Sequence, residues 1–191
     1  MSIVVYGSLP SPYVRRVRML LEGVDYQLEL LNVYDDAARA EYAKITPIRK
    51  LPLLVDEGQP VFDSHVIYHH LCRKLDRPEC SLEQYNLVSV IDAATDSLII
   101  LFLSSNSGLT LDADKPLFKL QMERIPNALS WLDEQARRGE FDEWHYASLA
   151  LVSLIDWADF RELYDFSDFP DLMAAKNKHN DRSIVRETMP Q

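Results

Sequence analysis

The chain has 191 residues, 47% of them hydrophobic, enough for one or two domains with a buried core. It carries 20 Lys+Arg against 30 Asp+Glu, a formal net charge of −10, which argues against nucleic acid and anionic membrane as partners. Two cysteines, Cys72 and Cys80, make neither a disulfide framework nor a metal motif, and neither an unbroken apolar run of eighteen residues nor a basic-then-apolar leader is present, so a cytoplasmic protein without a membrane span is expected.

Ile3-Val4-Val5-Tyr6 is a β-branched run that predicts a strand, and Gly7-Ser8-Leu9-Pro10 breaks it. A helix follows. Ser11 is a good N-cap, Pro12 a good first helical residue and Gly23 a good stop, with Val14, Val17, Leu20 and Leu21 at helical spacing. Asp25 to Val33 reads as a second strand and Asp35 to Lys44 as a short helix. Apolar runs on either side of Glu57-Gly58-Gln59-Pro60 predict a β-hairpin, followed by a helix from Ser64 to Leu75 capped by Asp63 or Ser64. A proline that opens a strand sits where no ladder donor is needed, or in a cis bond at a tight turn, so Pro52 leaves the backbone of Leu51 turned outward to pair with an extended peptide. Asp63 and Ser64 offer an acceptor and a donor at a helix start, where an α-amine and an α-carboxylate could dock.

Asp76-Arg77-Pro78 reads as a linker, and everything beyond Ser81 is helical in pattern. Leu82 to Ser104 and Pro116 to Arg138 predict long helices, the second bent at Pro126. Tyr146 to Leu163 is too apolar for a surface helix and reads as a buried central one. A short helix from Phe169 precedes a final turn around Arg182-Ser183-Ile184-Val185. Residues 1–75 hold nine Lys+Arg against nine Asp+Glu, so the whole acidic excess falls beyond residue 75.

Three features stand in one order: S-P-Y-V-R-R-V-R from Ser11 to Arg18, the Leu51-Pro52 strand start and the Asp63-Ser64 helix start. Together they resemble the glutathione transferase family, bacterial serine type, over nearly the whole chain. The resemblance implies an α/β plus all-α protein: a thioredoxin-like domain at 1–75, a linker at 76–81 and an all-helical domain at 82–191. It implies glutathione as co-substrate, a small hydrophobic electrophile as acceptor, glutathione-dependent peroxidase activity as a further capacity, no metal, and a homodimer pairing the first domain of one chain with the second of the other. Ser11 would stabilise the thiolate, Leu51 and Pro52 would present backbone to the tripeptide, Asp63 and Ser64 would hold its γ-glutamyl end, and Lys50 would hold a carboxylate. Arg49 stands where the family commonly has glycine. A second reading is a catalytically silent binding or regulatory protein resembling stringent starvation protein A. Omega-type thiol-disulfide chemistry is disfavoured, because Ser11 occupies the position of the working cysteine and Val14 that of its partner.

Plainer readings stand beside these. Ser11, and Asp63 with Ser64, could be ordinary helix caps. Arg16 and Arg18 are expected on a solvated helix face, Tyr6 at a strand end, Tyr13 as a wall of the site and the three tryptophans in core or interdomain packing. Tyrosine activates the thiol in some classes of the family, which keeps Tyr6 and Tyr13 open as alternatives to Ser11. His65, His69 and His70 share a predicted helix but lack a metal-ligand pattern. Leu101, Phe102 and Ser105 are candidates for the acceptor pocket. Relatives start the buried central helix with Ser or Thr and place Asp three residues on; here those positions are His145 and Ser148, so that capping box is expected to be absent, with Ser148 replacing part of it at best.

Overall fold

Alternate residues of the first β-branched run are buried, so Ile3 and Val5 enter a core while Val4 and Tyr6 stay partly exposed. That run is β1 (Ile3–Gly7), and α1 (Pro12–Leu20), β2 (Gln27–Leu30), α2 (Asp36–Tyr42), β3 (Leu53–Asp56), β4 (Gln59–Val61) and α3 (Ser64–Lys74) follow it. The computed structural model describes residues 2–32 and 35–191; Val33, the last residue of the expected second strand, lies outside them. The four strands form one sheet in the order β2-β1-β3-β4. β1 runs parallel to β2 and antiparallel to β3, and β3 is antiparallel to β4. Glu57 and Gly58 both have positive φ, 49° and 85°, the combination a tight two-residue hairpin needs. Ile3, Val5, Val17, Leu21, Leu54, Val61, Ile67 and Leu71 make the core under α1 and α3.

These elements belong to one unit, Met1–Glu79 together with Ser183–Gln191; the other is Cys80–Arg182. The closing residues therefore pack with the sheet unit and not with the helical run they follow. Arg15 is the reason. Only 1% exposed, its guanidinium donates to the Val185 carbonyl at 3.0 Å and the Thr188 hydroxyl at 3.3 Å, anchoring the short helix α8 (Ser183–Glu187). Arg18 donates to the Glu187 carbonyl at 3.3 Å. Arg16 is fully buried, with its guanidinium 4.7 Å from the Tyr13 ring centre. The expected solvated arginine face is thus wrong for Arg16, and Arg18 is half-buried and tied to the C-terminal segment.

The helical unit holds α4 (Leu82–Asn106), α5 (Pro116–Arg137), α6 (Tyr146–Phe160) and α7 (Pro170–Asn177). Ser81 and Gln84 form a reciprocal capping box at the start of α4. By length and composition α4 could cross a membrane, although Asp92 and Asp96 interrupt its apolar run; here it packs against α5 and α6. α6 is the central helix, buried without interruption from Tyr146 to Ala158. Its Asp156, 3% exposed, pairs with Lys176 of α7 at 2.7 Å. Trp157 is core, whereas Trp131 on α5 is 40% exposed, contrary to expectation.

The start of α6 has no capping box, as expected, but it is capped all the same. His145 itself is the N-cap: its Nδ1 accepts from the Ser148 amide at 3.3 Å. Its Nε2 donates to the Glu140 carbonyl at 3.0 Å, and the Ser148 hydroxyl donates to the Glu143 carbonyl at 2.6 Å. An imidazole nitrogen does what a Ser or Thr oxygen does elsewhere.

Candidate functional site

Strand register brings the sequence features to one end of the sheet. Tyr6 lies opposite Leu53 and Leu54 opposite Val61. One step further, β1 leaves the sheet through Gly7 into the Ser8–Ser11 loop, β3 arrives through Leu51 and Pro52, and β4 leaves through Phe62 into Asp63 and Ser64. The N-termini of α1 and α3 open at that same end. Each brings the positive end of a helix dipole to that end, which suits an anionic ligand. β1 and α1 meet closely there: a Cβ on Gly7 would lie 2.4 Å from Val14 Cγ1, so only glycine fits.

Ser11 is half-buried and caps α1, its Oγ accepting from the Val14 amide at 3.3 Å. That bond uses an oxygen lone pair and leaves the hydroxyl proton to donate elsewhere. Capping and thiolate stabilisation are therefore compatible uses of one side chain. Pro52 sits just outside the ladder, and the Leu51–Pro52 peptide bond is cis. Among the described residues, the Leu51 backbone amide and carbonyl take no hydrogen bond. Asp63 is the N-cap of α3: Oδ1 accepts from the His65 amide at 3.1 Å, and the carboxylate is exposed. Ser64, 4% exposed, is the first residue of that helix.

Lys50 and Arg49 are exposed beside Leu51 and supply the cationic character of this end. Arg49 adopts φ 50°, the left-handed conformation that favours glycine. Arg15 and Arg18 do not add to that patch, because the C-terminal segment occupies them.

Sequence reasoning missed Tyr42. The last residue of α2, it is 4% exposed and donates its hydroxyl to the Lys50 carbonyl at 2.8 Å. Burial, followed by the neighbouring Tyr6 ring at 6.1 Å, pushes its phenol well above the ordinary value. A lone tyrosine at a helix end carries no spacing signal; only the tertiary path of residues 43–50 reveals it.

Elsewhere in this unit, Asp56 is 7% exposed and bonds His70 Nε2 at 2.7 Å and Lys74 Nζ at 2.8 Å. Burial pushes its carboxyl up, but those hydrogen bonds and charges outweigh burial and leave it below the ordinary carboxylate range. His69 pairs with Glu79 at 2.9 Å. Among the described residues, no group of three or more His, Cys, Asp or Glu is arranged to hold a metal. Within the helical unit, Phe102 meets Trp157 edge-on at 6.2 Å and lies under the Arg161 guanidinium at 5.3 Å, while Ser105 is exposed.

Comparison with known proteins places this geometry. Residues 5–79 match the family model described as glutathione S-transferase, N-terminal domain. Glutathione S-transferase 4 of Zea mays is 38% identical over 96 residues, a stretch covering 47% of this chain and 43% of the maize protein's length. Glutathione S-transferase D7 of Drosophila melanogaster is 22% identical over 191 residues, covering 88% of this chain and 80% of the fly protein. The crystal structure of a Methylobacillus flagellatus glutathione S-transferase, solved with GSH bound, superimposes with a TM-score of 0.85 at 18% identity, covering 99% of this chain and all of that one. A thioredoxin-like βαβαββα domain followed by a helical domain is the fold they share. Residues 5–79 thus match the glutathione S-transferase N-terminal domain, and the chain as a whole has the fold of the solved glutathione S-transferases.

Proposed function

We propose that the protein is a glutathione transferase that binds glutathione at this sheet end and adds its thiolate to a small hydrophobic electrophile. The observation that carries the reading is the convergence of Ser11, the unpaired Leu51 backbone and the Asp63–Ser64 helix start at the ends of β1, β3 and β4. The extended tripeptide pairs with the Leu51 amide and carbonyl. Asp63 and Ser64 receive the γ-glutamyl end, and Lys50 meets a carboxylate. The Ser11 hydroxyl donates to the sulfur at the positive end of α1. A free thiol titrates near ~8.5, so lowering it by about two units corresponds to about 2.7 kcal/mol of preference for the thiolate. The thiolate then attacks an electrophilic carbon, and the leaving group departs with its bonding electrons. Serine is here a hydrogen-bond donor, not a covalent nucleophile. With a peroxide as the electrophile, the thiolate attacks one peroxide oxygen, the other leaves as an alcohol or water, and a second glutathione condenses with the resulting sulfenic acid to give the disulfide and water.

The resemblance to that family supports a homodimer as well. Leu120 and Trp131, 53% and 40% exposed, border a cavity of about 650 Å³ on α4 and α5, and Pro60, Phe62 and Val66 line one of about 480 Å³ beside β4 and α3. Apolar surface of this kind fits a second copy, and light scattering on the purified protein reads the mass. Free thiols at Cys72 and Cys80 suit a reducing, cytoplasmic setting.

A glutathione-affinity resin tests the central claim. Retention and elution by free glutathione are expected; flow-through points to a silent adaptor. Ser11→Ala is expected to lower turnover about 10–100-fold, the worth of a hydrogen bond to a charged group, while glutathione binding survives. Equal turnover would remove Ser11 from the mechanism and leave Tyr6 or Tyr13 as the thiol activator.

A further inference from the structure

Residues 43–50 connect α2 to the strand that presents Leu51, and most of them are solvent-exposed: Lys44, Ile45, Pro47, Ile48, Arg49 and Lys50 all face water. Few contacts hold such a segment, so its position depends on specific bonds. Tyr42 makes them at both ends. Its carbonyl accepts the Ile45 amide at 3.0 Å and the Thr46 amide at 3.2 Å, closing the turn where the segment begins. Its hydroxyl donates to the Lys50 carbonyl at 2.8 Å, where the segment ends. The ring is fixed by burial and by Tyr6 of β1, the residue paired with Leu53 of β3. One rigid side chain thus ties the exposed segment to the sheet, one residue before the backbone groups that face the ligand.

We propose that Tyr42 is a positioning residue for glutathione: its hydroxyl, by holding the Lys50 carbonyl, pre-sets the Leu51 amide and carbonyl for pairing with the tripeptide. The inference rests on the glutathione reading above and adds a residue that never touches the ligand. Pre-organisation of this kind acts on affinity, because ordering the segment no longer has to be done at the moment of binding. It leaves the thiolate chemistry at Ser11 alone.

Tyr42→Phe removes the hydroxyl and keeps the ring. By calorimetry its Kd for glutathione is expected to rise about 3–10-fold, the worth of one hydrogen bond. The KM for glutathione should rise in step, while kcat at saturating glutathione and the KM for a chlorodinitrobenzene probe stay at wild-type values. A merely structural tyrosine would lower Tm without that split. Wild-type protein that binds no glutathione overturns the glutathione reading and this inference with it. Wild-type binding matched by Tyr42→Phe overturns this inference alone. If Tyr42→Phe does not fold, hydrogen exchange on the wild type decides. Glutathione should slow exchange at Ile45 and Thr46 together with Leu51, because Tyr42 couples them; protection confined to Leu51 refutes the clamp.

Discussion

Replacing His145 by asparagine tests whether an imidazole really caps the central helix. In the folded protein Nδ1 accepts from the Ser148 amide and Nε2 donates to the Glu140 carbonyl, so the ring must be neutral with its proton on Nε2. Burial is the largest influence on it and pushes its pKa below the ordinary 6.5; the bond to Glu140 and the charges of Glu140 and Glu143 oppose that, and His179 reinforces it. The sign follows by linkage. A folded-state value below the unfolded one means that the unfolded chain binds more protons as pH falls through 6.5. The stabilisation is complete above that pH and is lost on acidification toward the folded value. Protonation puts an N–H where the Ser148 amide already points, so the cap is lost, which costs about 1 kcal/mol. One proton limits the slope to about 1.4 kcal/mol per pH unit. Asparagine caps as well as serine and does not titrate. Urea unfolding followed by tryptophan fluorescence, from pH 8 to pH 5, should give equal stabilities for wild type and His145→Asn at the alkaline end. Below about pH 6.5 wild type should lose about 1 kcal/mol more than the variant. Asp159, raised chiefly by burial, and Asp56, lowered by Lys74 and His70, titrate in both proteins and cancel in the difference. Identical pH slopes would refute the reasoning.

Three further outcomes are expected. Arg49→Gly should stabilise the protein by about 0.5–1 kcal/mol, because the left-handed φ of 50° costs an L-residue about 1–2 kcal/mol and glycine returns part of that as chain entropy; the shift in urea midpoint measures it. Asp156→Ala should cost about 3–5 kcal/mol by stranding the Lys176 ammonium, which is only 13% exposed, and a thermal melt without a large drop would argue against the pair. Gly7→Ala should cost about 1–3 kcal/mol, since the added methyl would lie 2.4 Å from Val14 Cγ1; Val14→Ala in the same chain should recover part of it.

Features that depend on neighbours along the chain were readable from sequence. The Glu57-Gly58 hairpin, the Ser11 and Asp63 caps, the position of Pro52 ahead of its strand and the uninterrupted apolar helix from Tyr146 each follow from a local rule, and each appears in the structure. β2 is shorter than Asp25 to Val33 suggests, its pairing with β1 spanning only Gln27 to Leu30. The arginines of α1, Arg16 and Arg18 expected in solvent and Arg15 left without an expectation, defeat sequence reading for a different reason. Long cationic side chains default to solvent, and nothing near Arg15 announces that the Val185 carbonyl and Thr188 hydroxyl, some 170 residues away, will receive its guanidinium.

His145 and Tyr42 share a further lesson about what a motif search overlooks. Both do work that a more familiar residue type or a ligand contact would advertise, one as a nitrogen acceptor in place of a hydroxyl, the other as a phenol aimed at a carbonyl. A helix start needs an acceptor for its free amides, and an exposed segment needs an anchor for its carbonyls; the physical requirement is fixed while the residue that meets it is not. Asking which group satisfies each exposed backbone donor or acceptor therefore finds such residues where matching residue types fails. Applied at the ligand end of the sheet, that question leaves the Leu51 amide and carbonyl unanswered among the described residues. An extended peptide would answer it, and for that reason the proposal of a peptide site at this end of the sheet rests on the Leu51 backbone more than on any side chain around it.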